Sequence, residues 1–305
     1  MADSIDRFLG YLEAEKGCSP QTLRAYSADL VQFERLVCED GEFDPAAITS
    51  VHVRRHLAQL RQTGISRTTI ARKLASLRSF YKYLVREGVV ADNPAASLSA
   101  PRREQRLPIF LDEGEVERLL AAPEDNGPTG LRDRAILEML YSTGMRIGEL
   151  AAASLDDLDL LGEVVKAKGK GKKERLVPLG GPAVQALRSY LDVRSRIGRP
   201  GPRHRTAIFL NKSAGRLSDR GIRRMFHKYA RIAGLSREAT PHTLRHSFAT
   251  HMLNRGADLR SVQELLGHAS LASTQIYAHV TTEKLKSVYD KAHPHGDAAT
   301  DTPSP

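Results

Sequence analysis

Tryptophan is absent from the 305 residues and cysteine occurs only twice, at Cys18 and Cys38. Two thiols cannot build a disulfide scaffold or a multi-cysteine metal site, and they read as reduced thiols. No apolar run approaches the ~20 residues that a bilayer-spanning helix needs. The stretch Met1-Ala2-Asp3-Ser4-Ile5-Asp6 is acidic and lacks a basic region followed by an apolar one. A secretory signal is therefore not expected, and a cytoplasmic protein without membrane contact is. There is no internal repeat and no GxxxxGK[ST] phosphate loop. His242 and His246 have the i, i+4 spacing of a zinc site, but Thr243 stands where a zinc protease needs glutamate. A carboxylate cluster of the kind that holds Mg²⁺ is also missing, so neither metal nor cofactor is expected.

What the chain does have is an ordinary globular composition, 41% hydrophobic and 27% charged, at a length suited to two domains. Lysine and arginine total 46 against 36 acidic residues, a net charge of +10. Such an excess suits a polyanionic partner, because basic surface gains affinity by releasing counterions condensed on nucleic acid. The charge is unevenly placed. Residues 1–106 carry 16 basic and 13 acidic groups, and residues 107–305 carry 30 and 23. The second part concentrates Lys166, Lys168, Lys170, Lys172, Lys173 and Arg175, then Arg194, Arg196, Arg199, Arg203 and Arg205.

Apolar spacing predicts four helices in residues 1–90. Ile5, Phe8, Leu9 and Leu12 form one stripe, and Ser19-Pro20 opens a helix continuing through Leu23, Tyr26, Leu30, Phe33 and Val37. Thr49 and Ser66 cap two more, the last stopping at Gly88. Between the stripes lie Arg54, Arg55, Arg61, Arg67, Arg72, Lys73 and Arg78. Two readings of them stand, a solvated helix face or a surface along a phosphate backbone. Residues 91–106, rich in proline and small residues, read as an interdomain linker. Beyond it, Asp112-Glu113-Gly114-Glu115 opens a helix through Leu120, and helical stripes fit 131–141, 182–196, 218–233, 241–254 and 258–266. Glu163–Ala167 and Arg175–Leu179 flank a Gly/Lys turn as a β-hairpin, and 207–210 suggests another strand. Residues 295–305 read as a disordered tail.

Several fragments carry chemistry. Arg146 follows the glycine turn of Thr143-Gly144-Met145 at a helix start, where a planar donor fork can face an anion beside free helix N–H groups. Lys170 sits in the glycine-flanked hairpin turn, next to Lys168 and Lys172. Pro241 opens a helix that puts His242 and Arg245 on one face near its positive end. His246 and His251 read as structural. His268 follows the glycine that ends another helix, and Tyr277 lies nine residues later. Two arginines, two histidines, a lysine and a tyrosine make a phosphoryl-transfer set without a metal.

In this order, TGMRIGEL, GKGKKERLVPLG, HTLRHSFATHML and LLGHASLASTQIYAHV resemble the catalytic signature of the tyrosine site-specific recombinases, with the Xer group nearest. EKGCSPQTLRAYSADL and SRTTIARKLASLRSFYKYL resemble the amino-terminal domain of that group, so the likeness covers about residues 4–294. LLGHASL and VYDKAHP lean to its XerC type over XerD. The resemblance implies that Arg146, Lys170, His242, Arg245 and His268 form the active site and that Tyr277 is the nucleophile, forming a 3′-phosphotyrosyl link to DNA. It implies a mainly α fold with a small β-hairpin or sheet, arranged as a two-domain DNA clamp. Residues 1–90 would be a helical, SAM-like core-binding domain, and 107–294 an α+β catalytic domain. The implied partners are a double-stranded DNA recombination site, a related Xer-type recombinase in a cyclic heterotetramer, and a DNA translocase of the division machinery. Chromosome-dimer resolution is the implied role. An integrase of a mobile element, a type IB-like topoisomerase and a non-catalytic DNA-binding protein are the rivals. The short amphipathic stripe Leu285, Val288 and Tyr289 is too short to stand alone and must dock, either back on its own catalytic domain or, as the resemblance implies, into a neighbouring subunit.

Overall fold

Helix start signals account for most of the architecture in the computed structural model, which describes residues 2–37, 44–101, 109–124, 126–169, 174–267 and 282–294. Contacts divide the chain into two units, Met1–Arg106 and Leu107–Pro305. The first holds α1 (Ala2–Ala14), α2 (Pro20–Val37), α3 (Ser50–Gln62) and α4 (Arg67–Arg86). Ser66 caps α4 by accepting from the Thr69 N–H at 3.2 Å. The predicted stripes meet in one core, where Phe8, Phe33, Leu74, Phe80 and Tyr81 are buried.

Two of the basic residues between the stripes are engaged by a buried carboxylate, and one of them is itself buried. Lys73 is buried and donates to Asp29 Oδ1 at 2.8 Å, and Arg72 pairs with the other oxygen of Asp29. These pairs tie α4 to α2 around a carboxylate that is 2% exposed. The expected linker also begins later than its composition suggests. Ala95 and Leu98 are buried in the first core, and Asn93 clamps the segment by donating to Arg78 O and accepting from the Ala95 N–H, both at 3.0 Å. Lack of periodicity there reflects packed turns, not an exposed tether. Residues 102–106 and the tail 295–305 lie outside the described residues.

The second unit comprises α5 (Glu113–Ala121), α6 (Pro128–Thr143), α7 (Ile147–Ala152), α8 (Gly181–Val193), α9 (Asp219–Ile232), α10 (Pro241–Asn254), α11 (Leu259–Leu266) and α12 (Thr282–Ala292). Its strands β1 (Leu158–Asp159), β2 (Val164–Lys168) and β3 (Glu174–Pro178) form an antiparallel sheet in that order. The anticipated hairpin is β2–β3, in register at Val165↔Val177 and closing at Lys168↔Glu174, with the short β1 added at its edge. Asp112 and Glu115 exchange the two bonds of a capping box at the start of α5. α6 is buried on nearly every side and forms the centre of this unit.

Residues 207–210 are buried but make only isolated bridges, Ser154↔Ala207 and Leu210↔Arg216, in place of the expected strand. Side chains take the backbone groups a neighbouring strand would have used. Tyr190 and Arg194 donate to Ile208 O, Arg132 donates to Leu210 O, and the Leu210 N–H donates to Tyr190 Oη.

α12 docks on its own unit, contrary to the expected insertion into a neighbour. Tyr289 is 1% exposed, shares a 2.6 Å hydrogen bond with Ser142, and stacks on His293 at 4.5 Å. His293 in turn lies against Tyr141 and Phe248. The short apolar stripe finds an aromatic socket within the same chain, which satisfies its need for a partner. No helix among the described residues is long and apolar enough to cross a membrane.

Candidate active site

Two helix starts converge. The chain leaves α6 through Gly144, whose φ of 57° is the left-handed turn anticipated before Arg146. A Cβ there would sit 2.6 Å from Phe248 Cδ1, so the position excludes side chains on steric as well as backbone grounds. Arg146 then stands at the N-cap position of α7, its guanidinium exposed. At α10, Thr240 accepts from the Thr243 N–H and Pro241 occupies the first turn. This fixes His242 and Arg245 on successive turns, His242 exposed and Arg245 buried to 5%. Arg245 donates to the carbonyl of Gly144 and to Leu266 O, the latter at 2.7 Å. One guanidinium thereby joins the turn before Arg146 to the last turn of α11.

The electrostatics show that these groups share one site. Burial, then the charges of Arg146 and Arg175, pulls the Arg245 guanidinium down to about 10, still cationic at neutral pH. Burial, followed by Arg245, His246 and Arg146, lowers His242 below its ordinary value and so favours the neutral imidazole. Arg146, His242 and Arg245, three of the residues singled out from the sequence, are brought together. Lys170, His268 and Tyr277 lie outside the described residues. The chain positions flanking two of them are in place. Gly267 ends α11 beside the carbonyl that Arg245 holds, and Lys168 at the end of β2 pairs with Asp157 at 2.7 Å. His251 is structural as read, buried and bonded to Tyr141 Oη at 2.9 Å.

Sequence reasoning missed Glu149 and Arg175. Glu149 is buried and accepts from the Arg146 N–H at 2.9 Å and the Arg146 guanidinium at 3.0 Å. Arg175, from β3, grips the same carboxylate with two bonds of 3.1 and 3.0 Å and reaches Leu265 O at 2.8 Å. A Cβ on Gly267 would lie 2.9 Å from Arg175, so that glycine admits the guanidinium. The available signal was the capping-box spacing of Arg146 and Glu149, read only as a helix start. Burial alone would raise the Glu149 carboxyl, but the hydrogen bonds from Arg175 and Arg146 outweigh it and hold it below the ordinary carboxylate value. Its stabilising contribution is thus present above the unfolded-state value near pH ~4.3 and is lost as pH falls through the lower folded value. Glu149→Gln is expected to cost roughly 3 kcal/mol at pH 7, because two cations lose their buried partner. Urea unfolding at pH 7 and across the acid range measures it; an unchanged midpoint at pH 7 removes Glu149 as the organiser of these arginines.

Comparison with known proteins places this arrangement in a family. The phage integrase family profile matches residues 109–284, and that of the phage integrase N-terminal SAM-like domain matches residues 5–88. The chain is 48% identical to tyrosine recombinase XerC of Pelotomaculum thermopropionicum over 298 residues, 95% of this chain and 97% of that protein. It is 46% identical to tyrosine recombinase XerC of Listeria innocua over 289 residues, 94% and 96% of the two chains. In fold it is similar to the Tn1549 transposon integrase in complex with a circular intermediate DNA, with a TM-score of 0.72 at 17% identity over 93% of this chain and 97% of that one. The λ integrase dimer on a COC′ core site gives 0.69 at 20% identity, covering 92% and 99%. The convergence of two arginines and a histidine at helix starts, on a fold shared along nearly its whole length with these proteins, has one conclusion: the chain belongs to the phage integrase family, among its XerC-type tyrosine recombinases.

Proposed function

We propose that this tyrosine recombinase, a DNA-cleaving and rejoining enzyme by family, works through Arg146, Lys170, His242, Arg245, His268 and Tyr277. Tyr277 Oη attacks a DNA phosphorus, the bond to the 5′-oxygen breaks, and a 3′-phosphotyrosyl link replaces it. His242 accepts the phenolic proton, for which a neutral imidazole is needed, and Lys170 protonates the departing 5′-oxygen. Arg146 and Arg245 hold the nonbridging oxygens, whose charge grows in the transition state, and His268 adds a hydrogen bond. A 5′-hydroxyl from a second strand reverses these steps, so the phosphoester bond is conserved and no nucleotide is consumed. The observation that carries this reading is that the charges of Arg146 and Arg245 act on His242, while Arg245 bonds to Gly144 O in the turn before Arg146.

The first unit would serve as a core-binding domain and the second as the catalytic domain, closing on a double-stranded recombination site in the cytoplasm. Relatives named tyrosine recombinase XerC support an Xer-type role. In that role the chain would pair with a related recombinase in a cyclic heterotetramer, be activated by a DNA translocase, and resolve chromosome dimers at division. Incubation with a nicked site in excess EDTA is expected to accumulate a denaturation-resistant protein–DNA adduct, because arginines fill the charge-neutralising role. Abolition by EDTA with rescue by Mg²⁺ overturns the mechanism. Recombinant products from paired sites, as against relaxation of supercoils at one site, separate a recombinase from a topoisomerase.

A further inference from the structure

Between Asp192 and Asp219 the sequence has no acidic residue and seven cations. The structure sorts them into two groups. Arg194 and Arg216 turn inward and build the segment. Arg194 donates to Ile208 O, Arg205 O and Ala207 O, and Arg216 donates to Ala151 O, Ala153 O and Ser154 Oγ. The other five, Arg196, Arg199, Arg203, Arg205 and Lys212, are exposed, and no ion pair joins any of them among the described residues.

The backbone carries these five on one loop and on the turn that it packs against. Short 3₁₀ turns at Arg194–Ile197 and Pro202–His204, with prolines at 200 and 202, stiffen the loop. A Cβ on Gly198 would lie 2.9 Å from Ala214 Cβ, and one on Gly215 would lie 3.6 Å from His204 Cδ2. The arginine loop therefore rests on the 211–216 turn, through contacts next in sequence to Arg199 and Arg203 on one side and on the turn that carries Lys212 on the other. Such like charges repel one another, and a rigid loop that concentrates them without counter-charges is suited to a partner that supplies regularly spaced anions.

We propose that residues 196–212 form a second phosphate-contacting surface for duplex DNA, separate from the residues that act on the scissile phosphate. The proposal rests on the recombinase reading of the chain. Contacts of this kind position the protein on DNA without reading bases, so their signature is salt dependence. The test substitutes serine at Arg196, Arg199, Arg203 and Arg205 together, and lysine at the same four positions as a charge-preserving control. Binding to a duplex carrying the site is measured against salt concentration. Each phosphate that is no longer neutralised lowers the slope of log K against log salt by about 0.9, so the serine variant is expected to lose about 2 to 4 of slope. Its affinity at physiological salt falls roughly ten-fold or more. The lysine variant keeps the wild-type slope, and both form wild-type adduct levels on nicked DNA at saturating protein.

An unchanged slope in the serine variant overturns the proposal. Should that variant fail to fold, Arg203→Glu reads the same slope with one change. Wild-type adduct with an unmoved slope removes only this surface. Absence of any wild-type adduct removes the catalytic reading, whatever the slope does.

Discussion

Tyr277→Phe is expected to bind its DNA site with unchanged affinity and to form no covalent adduct. The substitution deletes a single oxygen, leaving the ring volume and every basic residue in place. The phosphotyrosyl bond has no other source of nucleophile in the proposed set. Deleting a covalent nucleophile in other enzymes costs on the order of 10⁶ in rate, far beyond the effect of any supporting donor. The measurement is denaturing gel analysis of protein trapped on a nicked site, beside native gel shifts on the same duplex. Adduct at wild-type levels from the variant removes Tyr277 from the role.

Arg245→Lys is expected to reduce strand cleavage by roughly 10²–10³ while retaining site binding. The guanidinium spans Gly144 O and Leu266 O, and its planar fork is fixed by doing so. A lysine ammonium is a point donor on a flexible stem; it cannot hold both carbonyls and present a flat pair of donors to a phosphate. Charge is conserved in this variant, so a deficit isolates geometry. Single-turnover cleavage at saturating protein measures the effect, and a wild-type rate refutes the clamp assignment. Loss of binding in parallel with rate would instead identify Arg245 as an ordinary ground-state contact.

Local signals carried most of the fold. Stripes such as Ile70, Leu74, Leu77, Tyr81 and Leu84 follow directly from helical spacing, and all five are buried. The hairpin was readable because β-prone runs flank glycines. Features decided by distant partners were not readable. Residues 207–210 have strand-like composition, yet Arg132, Tyr190 and Arg194 take the backbone groups from elsewhere in the chain. The pairing of Lys73 with Asp29 and the burial of Ala95 and Leu98 likewise depend on tertiary neighbours. α12 was legible as a helix that must dock, but not the socket made by Ser142, Tyr141 and Phe248. At the site, Arg146, His242 and Arg245 stood out by residue type and position. Glu149 did not, because a glutamate three residues into a helix is also the commonest way to cap one.

The pairing at Glu149 has a thermodynamic consequence. Two guanidiniums, of Arg146 and Arg175, pair with one carboxylate, and the nearby Arg245 is held below its ordinary value first by burial and then in part by the charges of those two. The fold therefore carries an internal repulsion that, in the proposed mechanism, a phosphodiester oxygen would relieve on arrival. Binding and folding become linked quantities: a ligand that engages the folded unit alone raises its stability by RT ln(1 + [L]/Kd). Simple oxyanions share the charge that matters, so under the proposed mechanism they are expected to compete with DNA at Arg146 and Arg245 and to stabilise the folded protein. On these two proposals, ionic composition would act on the enzyme twice, once by screening the basic 196–212 surface and once by occupying the cationic cluster around Arg245.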